Sequence, residues 1–242
     1  MKFKVSLYYL LTTSLLALEN YEFNINLEYS SLKLDGHQRV ATSNNNIDFS
    51  SMGISRSKDM FIPTIDLIYK QQHKFHFSYY TLEYNEKKLL TQDIYIYDDT
   101  IATFPINTNM DTNMDTTLMT LGYRNIKGDF SYGFDIKNYK YDVKLSNKKD
   151  DFSVENSFTF LTLNLDTKTN INKYNLNYGV GLGDGSDIQY INLYLEGGYS
   201  FDYKIKPNLS LGYRMREFYI FDGIYESFHR YQGPYVNLNV KF

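Results

Sequence analysis

The last eight residues of the chain, YVNLNVKF (235–242), alternate polar and apolar side chains without a break and finish on an aromatic residue. Successive side chains of a β-strand point to opposite faces, so Val236, Leu238, Val240 and Phe242 share one face. A strand with lipid on one side and a polar lumen on the other needs this arrangement. A half-buried edge strand of a soluble β-protein also alternates. The tail alone therefore predicts a strand with one apolar face, in either a membrane barrel or a soluble β-protein.

The rest of the chain shows the same alternation in about ten segments, and the connections between them differ regularly in length. Short reversals are predicted at 71–72, 126–128, 170–172 and 203–206, and longer loops at 36–59, 84–113, 142–155 and 222–230. The remaining predicted connection is at 184–187. Short turns at one end and longer loops at the other are typical of an outer-membrane barrel, whereas a β-sandwich has no reason to sort its loops this way. The sequence predicts an all-β fold, a closed antiparallel transmembrane β-barrel of about ten strands. Eight or twelve strands stay open, because segment 93–104 is either an extension above the membrane or a further pair.

A closing strand that ends in phenylalanine resembles the sorting signal of Gram-negative outer-membrane β-barrel proteins. The resemblance is to the generic outer-membrane β-barrel family, and it rests on this terminal motif and the whole-chain pattern. It implies that Val236, Leu238, Val240 and Phe242 form an assembly signal read by the barrel-assembly machinery. It also implies residence in the cell outer membrane, in contact with outer-membrane lipids and lipopolysaccharide.

The front of the chain reads as a secretion signal. Lys2 and Lys4 precede a mostly apolar stretch at 5–18, which is the order of a basic region and an apolar region in a signal peptide. We assign 1–20 to the signal peptide and 21–242 to a single barrel domain. After 1–20 no run approaches the ~18 consecutive apolar residues that a membrane helix needs, so strands must make any crossing.

Composition narrows the function classes. The chain has 25 Tyr and 17 Phe, which can supply the aromatic belts of a membrane barrel, although Trp is absent. With no Cys, disulfides and thiolate metal sites are excluded. The net charge of −3, without a basic stripe, argues against a nucleic-acid partner. No cofactor is expected.

Carrying the alternation through every strand assigns each residue to the lumen or to lipid. The lumen-facing charged set is Glu28, Asp66, Lys70, Arg124, Asp135, Lys137, Glu196, Arg214 and Arg216. The lipid-facing set is Phe75, Phe77, Phe130, Tyr132, Phe134, Leu193, Leu195, Leu211, Val236, Leu238 and Val240. The charges either pair across the lumen and close it or line a narrow aqueous path. Arg214 and Arg216 give the lumen a local positive site, which would favour anions if any solute passes. We expect them instead to pair with Glu196 on the adjacent strand.

One strand breaks the pattern. Between Phe160 and Leu161 the apolar residues move from even to odd positions, which we interpret as a β-bulge.

Catalytic and metal-binding patterns are weak. Ser227, His229 and Glu226 lie in the predicted last loop, but residues so close in sequence rarely form a hydrolytic triad. His76 and Ser78 are same-face neighbours without an obvious orienting acid. The acidic residues Asp111, Asp115, Asp184 and Asp187 match no EF-hand loop. We therefore predict no catalytic residues and no metal site, and expect a protein that is not an enzyme.

Two functions from different classes follow from this interpretation. The first is a narrow channel or a structural surface barrel. The second is surface recognition, adhesin-like or receptor-like, in which loops 36–59 and 84–113 bind a host, phage or envelope partner. A barrel hydrolase acting on lipid or peptide is a distant third. The sequence leaves the solute, the openness of the lumen and the oligomeric state undetermined.

Overall fold

The computed structural model describes residues 20–40, 46–54, 57–90, 93–97, 101–223 and 225–242. The predicted signal peptide, apart from Asn20, lies outside the described residues. Within the described ranges the chain forms thirteen strands: β1 Tyr21–Val40, β2 Asn46–Asp48, β3 Ser57–Tyr69, β4 His73–Leu89, β5 Ile94–Tyr97, β6 Ile101–Phe104, β7 Asn109–Lys127, β8 Phe130–Ser146, β9 Asp151–Ile171, β10 Tyr174–Asp184, β11 Ile188–Ser200, β12 Asn208–Asp222 and β13 Tyr225–Lys241. None of the described residues forms a helix long and apolar enough to cross a membrane.

Ten of these strands close into an antiparallel barrel, as the sequence predicts. The order is β1, β3, β4, β7, β8, β9, β10, β11, β12 and β13, and β13 then pairs with β1 from Asn24↔Lys241 to Val40↔Tyr225. Closure gives every barrel strand two partners, so no edge with unpaired amides faces lipid. The prediction of a closed ten-stranded barrel is confirmed. In segment 93–104, β5 and β6 pair with each other as a separate two-stranded sheet and do not join the wall.

The two ends of the barrel differ. The first and last described residues and the connections 70–72, 128–129, 172–173 and 201–207 lie at one end, which we name the terminus end, and the remaining connections lie at the opposite, loop end. Two of the predicted longer loops, 142–155 and 222–230, are short in the structure, because β8 ends at Ser146 and β9 begins at Asp151, and β12 ends at Asp222 and β13 begins at Tyr225. Left-handed backbone makes three of the terminus-end connections tight, at Lys70 and Gln71, at Gly128, and at Asn172. Lys70, predicted to face the lumen, is instead an exposed turn residue with φ 51°.

The outer wall carries an apolar band next to the terminus end. Its exposed side chains come from every barrel strand and include Tyr29, Leu67, Phe77, Leu121, Phe134, Leu165, Leu176, Leu195, Leu211 and Leu238. Exposed tyrosines edge the band at the terminus end, at Tyr21, Tyr132, Tyr174 and Tyr203. An apolar band flanked by aromatic residues is the wall that a barrel presents to a bilayer.

The faces of the strands exchange polarity part-way along the barrel. On β9, Leu161 points outward and is 49% exposed, whereas Phe160 points inward and is 3% exposed. Beyond this level the outward positions are polar, as at Thr159 and Ser157, and the inward ones are apolar. The ladder between β8 and β9 is continuous through this point, from Phe130↔Thr167 to Ser146↔Asp151. The predicted β-bulge is therefore wrong: the apolar phase shifts because the surroundings of the wall change, not because a residue is inserted.

The same exchange explains why the strands are longer than predicted. Alternation continues past the apolar band with reversed polarity, so residues 36–40 belong to β1, 84–89 to β4 and 109–113 to β7. The predicted loops 36–59 and 84–113 are correspondingly shorter. The barrel thus extends well beyond the apolar band at its loop end.

Apolar side chains fill the interior of this extension. Leu34, Tyr84, Met114, Tyr139 and Phe218 are all buried in one hydrophobic cluster. Residues 46–54 turn into the mouth of the barrel and join the cluster through Ile47, Phe49, Met52 and Ile54. The Thr112 hydroxyl donates to the Met52 carbonyl at 3.0 Å, which ties this plug segment to β7. The described part of the predicted loop 36–59 therefore closes the barrel instead of projecting from it.

Four carboxylates form a row across the outer wall of the extension. The register places Glu83 beside Asp115, Asp115 beside Asp142, and Asp142 beside Glu155. Partial burial, and then the neighbouring charges of Glu83 and Asp142, raise the pKa of Asp115.

Candidate functional site

A polar cavity of about 480 Å³ occupies the interior at the level of the apolar band. It reaches the terminus end, where Gly128, Asp129 and Lys241 line its mouth. Its floor lies under the hydrophobic cluster, where Tyr80, Leu118 and Tyr190 are buried. Inward-facing residues of all ten barrel strands contribute to the walls, because the alternation that places apolar residues in the band turns the polar ones inward.

The most densely paired group in the cavity centres on Asp135 of β8. Its Oδ1 lies 2.5 Å from Arg124 Nη1 and 3.2 Å from His76 Nε2, and its Oδ2 lies 2.9 Å from Lys137 Nζ. These partners come from β7, β4 and β8, which are adjacent in the wall. A Cβ on Gly122 would lie 2.2 Å from both Asp135 Oδ1 and His76 Cε1, so this glycine leaves the space in which the two side chains meet.

Arg124 also links this group to the next strand. Its Nε donates to Asp166 Oδ2 at 3.1 Å, and the Tyr194 hydroxyl donates to Asp166 Oδ1 at 2.9 Å. Gly179 of β10 makes room for this contact, since a Cβ there would lie 2.3 Å from Asp166 Oδ1. The chain of contacts thus crosses the lumen from β4 to β11.

Arg214 is paired, but not with the residue that the sequence suggests. Its Nη1 donates to Glu28 Oε2 past the intervening strand β13, and the Ser30 hydroxyl donates to the other Glu28 oxygen at 2.5 Å. Its guanidinium lies 4.7 Å from the ring centroid of Tyr235. Glu196 is opposite Gly212 in the register and accepts from Asn177 at 2.8 Å. The expected pairing of Arg214 with Glu196 is therefore absent.

Arg216 lies at the floor and has different partners. Its side chain is buried, with 8% of the residue surface exposed. Its Nη1 donates to the Tyr80 hydroxyl at 2.8 Å, and Tyr190 lines the same part of the cavity. The guanidinium stacks over the Tyr80 ring at 5.0 Å from the centroid. Among the described residues, Arg216 forms no ion pair with a carboxylate.

The structure places the other predicted lumen residues in the same cavity. Asp66 lies 4.0 Å from Lys74 and accepts from Asn26 at 2.9 Å. Of the nine charged residues predicted to face the lumen, eight line the cavity: Glu28, Asp66, Arg124, Asp135, Lys137, Glu196, Arg214 and Arg216. Only Lys70 lies elsewhere.

Every residue predicted to face lipid points outward. Phe75, Phe77, Phe130, Tyr132, Phe134, Leu193, Leu195, Leu211, Val236 and Leu238 are exposed, and Val240 is half-buried. The last residue, Phe242, is 64% exposed beside Phe23 at the terminus end.

Ser227 and His229 do meet, at the loop end, in a setting that lacks a carboxylate. Ser227 Oγ lies 2.6 Å from His229 Nε2, and the Tyr139 hydroxyl lies 2.7 Å from Nδ1. Glu226 points the other way and lies 3.7 Å from Arg39. Burial lowers the pKa of His229 to about 3, so the ring is neutral at physiological pH. All three hydrogen-bonded side chains are buried in the extension.

His76 has an acid partner that the sequence did not indicate, Asp135 on β8. Its Nδ1 is nevertheless buried without a hydrogen-bond partner, so Ser78 does not donate to it. Asp135 is already shared with Arg124 and Lys137. Within the described ranges, no group of three histidine or acidic side chains is placed to hold a metal ion.

Sequence reasoning missed the tyrosines of the cavity. Tyr80, Tyr190 and Tyr194 face inward and contact the arginines or Asp166. Their positions in the alternation could have revealed them: Tyr194, for example, lies between Asn192 and Glu196 on the polar, inward face of β11. Composition favoured tyrosine as a lipid-interface residue, and this concealed its second use inside the barrel.

No family model matches the sequence, and no curated protein does either. Solved structures with a similar course of the chain include Ail, the attachment invasion locus protein of Yersinia pestis, with 7% identity, coverage of 92% of this chain and 99% of that chain, and a TM-score of 0.45. The outer-membrane protease OmpT of Escherichia coli has 10% identity, coverage of 91% and 96%, and a TM-score of 0.45. The translocator domain of the autotransporter NalP of Neisseria meningitidis has 9% identity, coverage of 99% and 95%, and a TM-score of 0.40. These neighbours are Gram-negative outer-membrane β-barrels. Because the sequence identities and TM-scores are this low, we infer nothing about the activity of this chain from theirs.

Proposed function

We propose that the chain is a non-conducting surface barrel of the Gram-negative outer membrane. The apolar band supports the membrane part of this proposal. On β10 its outward residues run from Tyr174 to Leu182, about 26 Å along the strand and roughly 20 Å in height at a usual tilt. This is close to the apolar height of about 25 Å in outer-membrane barrels. The end of the barrel that holds the first and last described residues then corresponds to the periplasmic side, and the extension projects outward.

The observation that carries the non-conducting part is the hydrophobic cluster in the extension. The polar cavity is open at the terminus end, and above its floor the described interior is filled by Tyr139, Phe218, Tyr231 and their neighbours. The plug segment 46–54 adds a second layer at the mouth. An aqueous path needs a continuous polar lumen, and this interior offers one only as far as Arg216.

Planar-bilayer recording tests this function. The refolded chain should give no stepwise current at any applied voltage, while a porin inserted in the same membrane serves as the positive control. A variant without residues 46–54 should also be silent, because Tyr139, Phe218 and Tyr231 lie beneath the plug. Stepwise current from the unmodified chain would contradict the proposal. Current from the plug deletion alone would identify a gated channel instead.

Residence and assembly are tested separately. We expect the mature chain in the outer-membrane fraction, migrating differently on gels before and after boiling. Contact with phospholipid and lipopolysaccharide follows from the band, and recognition by the barrel-assembly machinery is proposed for the strand ending at Phe242. We propose no catalysis, because the Ser227 and His229 pair is buried and its third partner is a tyrosine.

Surface recognition is the second candidate function, and the β5–β6 hairpin favours it. This ribbon forms its own sheet at the loop end, outside the wall. Its base is fixed, because the Ile106 amide donates to Asp93 Oδ1 at 2.6 Å and Leu90 and Phe104 are buried in the hydrophobic cluster. A ribbon held at its base above a rigid barrel suits display to a partner.

Deletion of 94–103 tests recognition. Cells displaying the intact chain should adhere to host cells or adsorb phage, and cells displaying the deletion should not. Shortening the turn 147–150, at the same end of the barrel, is the matched control and should leave binding intact. Equal binding by the intact chain, the deletion and the control would show that this hairpin is not the binding element.

A further inference from the structure

We propose that Arg216, Tyr80 and Tyr190 form the floor of a binding site for a small carboxylate or phosphate anion, which enters the polar cavity from the terminus end. This inference goes beyond the non-conducting function, because a blind cavity can bind a ligand whether or not the barrel conducts.

The first argument is the balance of charge around Arg216. The cavity is lined by seven acidic and seven basic side chains, so it is neutral as a whole. At the floor, Arg214 and Lys137 each pair directly with a carboxylate, Glu28 and Asp135 respectively. Among the described residues, Arg216 has no carboxylate oxygen within 4.0 Å, so its charge lacks a direct counter-charge.

The two nearby carboxylates cannot supply it. Both Glu28 oxygens are engaged, one by Ser30 and the other by Arg214. Both Asp135 oxygens are also engaged, by Arg124 and by Lys137. Drawing either carboxylate to Arg216 would leave another buried cation unpaired, and an unpaired buried charge is costly.

The second argument is the supply of donors. A guanidinium has five N–H groups in a planar fork, and the Tyr80 hydroxyl accepts a hydrogen bond from one of those of Arg216. The remaining donors belong to a side chain that lines the cavity. A planar fork matches the two oxygens of a carboxylate or of a phosphate. The chemistry of the floor therefore selects an oxyanion.

The third argument is a polar side chain beside the guanidinium. Asn192 is opposite Arg216 in the register, and Gly181 is opposite Asn192 on the neighbouring strand β10. Asn164 of β9 occupies the space beside this glycine, since a Cβ on Gly181 would lie 2.5 Å from Asn164 Oδ1. Asn192 Oδ1 is buried without a hydrogen-bond partner, so turning this amide toward a ligand breaks no hydrogen bond of that atom. A cavity of about 480 Å³ is within the usual size of small-molecule sites.

The test compares the native chain with Arg216→Met, each refolded in a zwitterionic detergent. Thermal unfolding and calorimetric titration are followed with sodium formate, sodium phosphate or sodium chloride, each replacing a bulky sulfonate at constant ionic strength. In the native chain the midpoint should rise saturably with formate or phosphate. In Arg216→Met the affinity should fall at least about tenfold, as expected for a charged hydrogen bond. Without the anion, Arg216→Met should unfold no earlier than the native chain, because it removes an unpaired buried charge.

Arg230→Gln is the matched control, because Arg230 lies on the outer wall of the extension and pairs with Glu217. It should keep the native response to the anions. A flat response in the native chain, or an equal rise in all three chains, would overturn the site. If Arg216→Met does not refold, native crystals soaked in bromide decide the question, since anomalous density beside Arg216 supports the site and its absence refutes it. The stronger of formate and phosphate identifies the class of ligand.

Discussion

The exchange of polarity along each strand predicts that one substitution on one face of one strand has two different costs. Leu165 and Ser157 both lie on the outward face of β9, eight residues apart. Leu165 is in the apolar band between Tyr132 and Val180, whereas Ser157 lies in the extension beside Lys140. The two positions are about 26 Å apart along the strand. Arginine distinguishes the two environments most clearly, because it is costly on a lipid-facing surface and tolerated on a surface in water.

We expect Leu165→Arg to cost about 2–4 kcal/mol, which is the price of an arginine near the midplane of a barrel. The aliphatic stem of arginine keeps much of the contact that Leu165 makes with its neighbours, so loss of packing adds little. Ser157→Arg should change stability by no more than about 0.5 kcal/mol, since it faces water and replaces an exposed side chain.

The assay is reversible urea unfolding from phospholipid vesicles. Because the chain has no Trp, tyrosine fluorescence and the mobility of unboiled samples on gels report the folded fraction. Similar costs at the two positions would refute the polarity exchange, and a larger cost at Ser157 would show that the extension lies in the bilayer.

Three further changes test separate parts of the structure. Gly122→Ala should destabilise the barrel by about 1–3 kcal/mol by overpacking the Asp135 cluster, measured in the same urea assay, whereas Gly197→Ala, with no atom within 4 Å of the added Cβ, should not. Asp115→Asn should stabilise the barrel at neutral pH. The raised pKa of Asp115 means that the folded state binds this proton more tightly than the unfolded state does. The difference in free energy of unfolding between Asp115→Asn and the native chain should therefore shrink as pH falls through the raised pKa toward 3.8. A difference that does not change with pH would contradict this. Phe242→Ala should reduce the amount of heat-modifiable barrel in the outer membrane without changing stability after refolding, and an unchanged amount would remove the assembly role.

The fold was predictable because one physical rule acts on nearly every residue of the wall. Alternation identified the ten barrel segments. Connection length did not separate the two ends, because 201–207 at the terminus end is longer than 147–150 and 185–187 at the loop end. We assigned residues to the lumen or to lipid only from the alternation of side chains along each strand. Lys70 is the exception because it lies one residue past the end of β3, where the alternation no longer applies.

The strand lengths and the interior of the extension were not predictable by the same reasoning. An apolar residue was read as outward, which holds only where lipid surrounds the wall. Tyr84, Met110 and Leu145 are apolar and inward, so they looked like parts of irregular loops. The shift between Phe160 and Leu161 was the visible sign of the exchange, and the same shift in other strands would have placed it at one common height.

Pairing inside the lumen was also beyond sequence reasoning. Glu28 and Arg214 are 186 residues apart in the chain and lie on strands that are not adjacent in the wall. Parity places both in the lumen, but which carboxylate meets which cation depends on strand tilt and on the length of each side chain. The glycines at 122 and 179 contribute through space that they leave empty, and a lone sequence does not show which neighbours use it.

The extension supports the proposal of a non-conducting barrel. Where lipid surrounds the wall, the outward face can be apolar and the interior can hold water and ion pairs. Where water surrounds the wall, the outward face must be polar, and only an apolar interior then supplies the burial that offsets ordering strands as long as β1 and β9. An interior polar enough to conduct would remove that burial along the whole extension. A barrel that projects this far beyond its apolar band is therefore stable because it is filled, and the side chains that stabilise it are the ones that block the path.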